Sequence, residues 1–90
     1  MDKNVRQIFA RRVRETRHAA GFSGRGGKIT FCETAQISRP TLDAIENGTV
    51  NVSIDMVEKI ASALGVDAYE LLMPYDERKL TVNAHRVYRL

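Results

Sequence analysis

Between Ser38 and Thr49 the chain gathers side chains that recognise hydrogen-bonding partners without reacting with them. There is a guanidinium at Arg39, a carboxylate at Asp43, an amide at Asn47, hydroxyls at Ser38, Thr41 and Thr49, and the small faces of Pro40 and Ala44. An arginine fork suits two adjacent acceptors, a carboxylate accepts from an amine, and hydroxyls and amides can do either. Groups suited to covalent or metal chemistry are sparse. The two histidines, His18 and His85, fall in segments expected at the surface, and there is one cysteine, Cys32. A single thiol excludes an intramolecular disulfide and a cysteine-cluster metal site. Without a positioned base, Cys32 reads as a small core residue rather than a nucleophile. The run Gly24-Arg25-Gly26-Gly27-Lys28 lacks the spacing of a phosphate-binding loop and the strand that should precede one. No catalytic residue, cofactor, metal or small-molecule ligand is expected, and the chain is not read as an enzyme.

The elements that must position these groups follow from apolar spacing. Val5, Ile8, Phe9, Val13, Thr16 and Ala20 recur at three- and four-residue steps, which predicts a helix from about Val5 to Ala20 with that face inward. Asn4 is its N-cap, Gly21 supplies the left-handed residue that ends it, and Arg11, Arg14 and His18 lie on the wet face. Residues 23–27 read as a flexible loop. Lys28–Ala35 follows as a short helix burying Phe31, Cys32 and Ala35, then a tight turn at Gln36-Ile37-Ser38. A third helix, Arg39–Asn47, turns Leu42 and Ile45 inward and is closed by Gly48. Pro40 pushes Arg39 toward extended geometry, which makes Arg39 rather than Ser38 a candidate for the effective cap. Ser53 caps a fourth helix, Ile54–Leu64, with Ile54, Val57, Ile60, Ala61 and Leu64 as its stripe and Gly65 as its stop. Asp67 starts a fifth, Ala68–Met73, ended by Pro74.

Beyond it the period changes. Leu80, Val82, Ala84, Tyr88 and Leu90 all fall on even positions, the alternation of a strand. A strand without a partner exposes an unpaired edge, so its expected partner is its own copy across a two-fold axis; the alternative is a disordered tail. The domain reading is therefore 1–74 as a folded unit and 75–90 as an extension for dimerisation or for holding a partner.

Bulk properties narrow the function. Ninety residues suffice for one domain, and a chain so short leaves little room for a catalytic or ligand-binding domain beside it. Residues 1–50 carry nine Lys/Arg against five Asp/Glu, a net of +4; residues 51–90 carry five against six, a net of −1. A basic first half suits a polyanion. No apolar run reaches the ~20 residues needed to span a bilayer, and the start Met-Asp-Lys-Asn lacks the order of a secretory signal, so the expected location is the cytoplasm, away from membranes. Two short helices joined by a tight turn, the second presenting a polar outer face, are the parts of a helix-turn-helix, whose second helix enters the major groove of double-stranded DNA.

The motifs themselves carry a resemblance. Gly21-Phe22-Ser23, Ala35-Gln36-Ile37-Ser38-Arg39-Pro40-Thr41-Leu42, Ile45-Glu46-Asn47-Gly48, Ile60 to Val66 and Glu70-Leu71-Leu72 occur in an order that resembles the lambda-repressor-like, Xre-type DNA-binding domain over about residues 9–73. The chain departs from that pattern by extra residues at Gly24–Gly27 and by Pro40 early in the third helix. The resemblance implies an all-α, five-helix fold, with helices two and three as the DNA reader. It also implies that Arg17 and Glu46 form a structural ion pair behind the reading surface, and that Lys28, opening the second helix, touches phosphate.

On this reading Arg39, Pro40, Thr41, Asp43 and Ala44 face the bases. Arg39 either forks onto guanine O6 and N7 or contacts phosphate; Thr41 meets a thymine methyl or a phosphate; Asp43 accepts from cytosine N4 or pairs within the chain with Arg39. Arg25, Lys28, Ser38, Asn47 and Thr49 are the expected phosphate contacts. The function that follows is a transcriptional regulator binding an operator as a homodimer. The alternative is an antitoxin, with the same DNA-binding core and residues 75–90 given over to capturing a toxin or other regulatory protein.

Overall fold

The computed structural model describes residues 4–74, and these form four α-helices and one short 3-10 helix: α1 (Val5–Ala19), α2 (Gly24–Ala35), α3 (Arg39–Asn47), α4 (Ile54–Leu64) and a 3-10 turn at Ala68–Leu72. The fifth element expected as an α-helix is thus 3-10. The six residues between Asp67 and Pro74 leave little room for the hydrogen bonding of an α-helix, and tighter turns take over in such short pieces. There is no strand among the described residues. The strand read from Leu80 to Leu90, and the toxin-capturing role offered for residues 75–90, lie outside them.

Three of the four α-helices start on a side-chain cap. Asn4 accepts from the Gln7 amide at 2.9 Å while the Gln7 side chain accepts from the Asn4 amide, a capping box. Ser53 caps α4 through the Met56 amide, and Gly65 closes it at φ +75. The third helix is capped by Ser38, not Arg39: Ser38 Oγ accepts from the Thr41 amide at 3.1 Å. Pro40 then sits at the second helical position, where its missing N–H costs nothing.

The second helix begins four residues earlier than its apolar pattern shows. Gly24–Gly27 form its first turn rather than a loop. Glycine in a helix costs roughly 1 kcal/mol relative to alanine, so three in one turn read as irregular. Packing explains one of them. A Cβ on Gly27 would lie 2.5 Å from the carbonyl carbon of Phe22, so the helix passes too close to the α1–α2 connection for any side chain.

The four helices and the 3-10 turn share one core. It holds Phe9 and Val13 of α1, Phe31, Cys32 and Ala35 of α2, Leu42 and Ile45 of α3, Val57, Ile60, Ala61 and Leu64 of α4, and Leu71. Phe22 packs edge-on to Phe31, ring centroids 5.5 Å apart. Helix α1 lies against α3 and the 3-10 turn, and α2 bridges α3 and α4. Five residues expected inward are not buried. Val5 and Ile54 are 58% and 71% exposed, Ala20 is exposed, and Ile8 and Thr16 are half-buried. Val5 and Ile54 occupy the first turns of their helices, where the chain has not yet entered the core; with Phe9, Val52, Val57 and Leu72 they line an apolar groove that contains nothing from α2 or α3.

Candidate nucleic-acid interface

The turn between α2 and α3 is built on Gln36, which takes the left-handed conformation at φ 60, ψ 47. That conformation is uncommon for a residue with a Cβ. It is held from two sides: the Ile37 amide donates to the Cys32 carbonyl at 3.0 Å, and Lys59 Nζ reaches from α4 to the Gln36 carbonyl at 3.3 Å. The Lys59 contact carries no signal in the spacing.

Helix α3 divides cleanly by face. Leu42, Ile45 and Glu46 are buried, Thr41 and Ala44 are half-buried, and Arg39, Pro40, Asp43 and Asn47 are exposed. The outward row therefore contains Arg39, Asp43 and Asn47 at successive turns, flanked by Pro40 and Ala44. No acidic residue lies in the first turn of this helix. Arg39 places a cation at the positive end of the helix dipole, where a cation is disfavoured, and it makes no ion pair with any described residue.

Several donors expected for phosphate are engaged within the chain. The Ser38 hydroxyl donates to Thr41 Oγ1 at 2.8 Å while capping the helix, which leaves the Thr41 hydroxyl free to donate outward. Thr49 lies past the helix end, its amide and hydroxyl both donating to the Ala44 carbonyl at 3.1 and 3.3 Å. Lys28 Nζ stands 2.6 Å from Asp43 Oδ1. The intramolecular partner of Asp43 is therefore Lys28 and not Arg39. The hydrogen bond from Lys28, above all, holds the Asp43 carboxyl below its ordinary value of 3.8. Arg25, in the first turn of α2, and Asn47 are exposed.

Behind the reader, Arg17 and Glu46 are 4% and 6% exposed. Arg17 Nε and Nη2 donate to the two Glu46 oxygens at 2.7 and 3.0 Å, and Nη1 donates to the Phe22 carbonyl at 2.6 Å. Arg14, which spacing placed on the wet face, donates to the Glu46 backbone carbonyl at 2.8 Å. This network joins α1, the α1–α2 connection and the end of α3, and so fixes how the reader sits on its scaffold. Nearby, burial pushes the Cys32 thiol up from 9.0, the condition of a packed side chain rather than a nucleophile. No group of histidine, cysteine or carboxylate residues suited to a metal ion occurs among the described residues, and no helix among them is long and apolar enough to cross a membrane.

A bracing helix, a left-handed turn and a projecting helix with a polar outer row define a helix-turn-helix protein. The chain belongs to the lambda-repressor-like, Xre-type helix-turn-helix family of DNA-binding transcription regulators. A helix-turn-helix family model matches residues 29–71. The chain is 36% identical over 72 residues to control protein C.BamHI of Bacillus amyloliquefaciens, covering 80% of this chain and 85% of that one. It is 32% identical over 84 residues to a hypothetical transcription factor of Neisseria meningitidis serogroup B, covering 92% and 76%. The crystal structure of the hypothetical transcription factor NHTF from Neisseria superposes with a TM-score of 0.73 at 32% identity, covering 83% of this chain and 82% of that one.

Proposed function

We propose that this chain is a cytoplasmic, sequence-specific transcriptional regulator that binds an operator as a homodimer, with α3 lying in the major groove of each half-site. The observation that carries the reading is the outward row of α3. Arg39 is an exposed cation with no ion pair in contact range among the described residues and only a longer-range attraction to Asp43, at the helix end where it stabilises least, and such a charge is available to something outside the fold. Arg39 forks onto guanine O6 and N7, Thr41 donates its free hydroxyl, and the small Ala44, beside Pro40, lets the helix sit deep. Arg25 and Asn47 grip phosphate at the flanks.

A second copy is supported by the groove lined by Val5, Phe9, Val52, Ile54, Val57 and Leu72 together with the polar Arg6 and Asn51. Its most exposed member, Ile54, keeps a β-branched side chain in water, and no reading residue would be covered by a partner there. Two copies place their readers on half-sites about 34–36 Å apart.

Selection of bound sequences from random duplex DNA tests the proposal, run with wild type and Arg39→Ala. Wild type should enrich an inverted repeat, and the variant should lose preference at one base pair of each half. An unchanged motif in Arg39→Ala removes that residue from base reading, and no binding by wild type at low salt removes the function, because even non-specific affinity is then visible. Sedimentation of Ile54→Glu against wild type tests the dimer.

A further inference from the structure

Asp43 lies one turn beyond Arg39 on the outward row of α3, with its side chain 49% exposed. A carboxylate on such a surface faces a phosphate backbone of like charge. The base edges offer it a partner only where an exocyclic amine projects: cytosine N4 and adenine N6 donate, whereas guanine O6 and N7 and thymine O4 accept. An aspartate here therefore costs affinity on most sequences unless something neutralises and aims it.

The structure provides that group. Lys28 reaches across from α2 to within 2.6 Å of Asp43 Oδ1. The contact neutralises the carboxylate and occupies Oδ1, so Oδ2 remains as an acceptor on a side chain that is half exposed. The lysine keeps only 27% of its side chain exposed, so its ammonium is drawn in toward α3 rather than extended toward solvent. Its charge is already matched before any phosphate arrives.

We propose that Lys28 is a positioning residue for base recognition: it holds Asp43 so that the free oxygen accepts from an exocyclic amine, cytosine N4 or adenine N6, at one base pair of each half-site. This rests on the proposed seating of α3 in the major groove. It removes Lys28 from the phosphate contacts and makes the Lys28–Asp43 pair a single reading unit that refuses guanine and thymine at that strand position.

The test is position-resolved selection on random duplex DNA, with thermal unfolding to confirm the fold, for wild type, Lys28→Met, Lys28→Arg, Asp43→Ala and the double variant Lys28→Met/Asp43→Ala. In wild type one position should favour the amine-bearing base, by about tenfold. Asp43→Ala should erase that preference, Lys28→Met should erase the same preference and no other, and the double variant should match Asp43→Ala. Lys28→Arg should retain it. The inference is overturned if Lys28→Met keeps the full motif while affinity falls evenly on all sequences and the salt slope drops by about one unit, the signature of a phosphate contact. A motif unchanged in Asp43→Ala overturns it equally. Both of these leave the DNA-reading function standing; loss of all duplex binding by wild type at low salt overturns the function and the pair together.

Discussion

Replacing Glu46 with alanine removes a carboxylate that accepts two hydrogen bonds from a guanidinium 4% exposed to solvent. What remains to Arg17 is one bond, to the Phe22 carbonyl. A charge left buried and uncompensated in this way costs about 3–5 kcal/mol. A domain of this size is stable by only about 4–10 kcal/mol, at 0.05–0.15 kcal/mol per residue, and loses roughly 4–8 °C of midpoint per kcal/mol. Glu46→Ala should therefore lower the thermal midpoint by at least about 12 °C. Urea unfolding followed by far-ultraviolet circular dichroism gives the free energy directly, which suits a chain without tryptophan. Glu46→Gln keeps the shape and one acceptor, so it should cost about 2 kcal/mol. The double variant Arg17→Met/Glu46→Leu orphans no charge and should be more stable than Glu46→Ala. A loss under about 1 kcal/mol for Glu46→Ala, the range of a solvated surface pair, would refute the reasoning, as would a double variant whose loss is the sum of two single ones.

Three other outcomes follow from particular atoms. Gly26→Ala meets nothing within 4 Å and should stabilise α2 by about 0.5–1 kcal/mol, whereas Gly27→Ala drives a Cβ into the Phe22 backbone and should destabilise; paired melting curves check both. Arg39→Ala should leave the thermal midpoint unchanged or raise stability by about 0.3–1 kcal/mol at low ionic strength, since it removes a cation from a helix N-terminus, while its affinity for the selected duplex falls; calorimetry of the free protein and a titration with DNA separate the two effects. The Asp43 carboxyl is depressed in the folded chain, so the stability it contributes is full above its ordinary value of 3.8 and is lost only as pH falls below that; carbon NMR should place its titration midpoint below 3.8 in wild type and closer to 3.8 in Lys28→Met.

The fold was legible where periodicity and caps agree. For α3 and α4 the apolar spacing and the closing glycines Gly48 and Gly65 define the same boundaries that the structure has, and Ser53 the same cap, whereas at α3 the effect of Pro40 pointed to Arg39 as the cap and the structure uses Ser38. The N-terminal end of α2 was not legible, because glycine's helix cost and its freedom from steric clash pull opposite ways and only the tertiary approach of Phe22 decides between them. The face of α3 was legible from Leu42 and Ile45 alone. Its pairings were not, since they depend on how helices cross. Spacing nominated Arg39 for Asp43, yet a base four residues N-terminal to an acid is the weaker orientation on a helix, and crossing brings Lys28 of α2 closer.

Departures from local rules collect at the reader. Helix α1 carries Arg17 and His18 in its last turn and α4 carries Asp55 in its first, charges that complement their dipoles, although α1 and α2 open with Arg6 and Arg25 and no acid. Helix α3 likewise opens with Arg39 and no acid. The turn before it forces a glutamine into a conformation that glycine would adopt freely, and the helix before that begins with three glycines in its first turn. At two of these positions one substitution relieves the conflict, Arg39→Ala at the start of α3 and Gly26→Ala in the first turn of α2, whereas Gly27 is held by its approach to Phe22 and Gly24 by its positive φ. Local conflict that gathers on two helices and the turn between them is a pattern expected where function sets some of the residues, and here it falls on elements that would meet DNA.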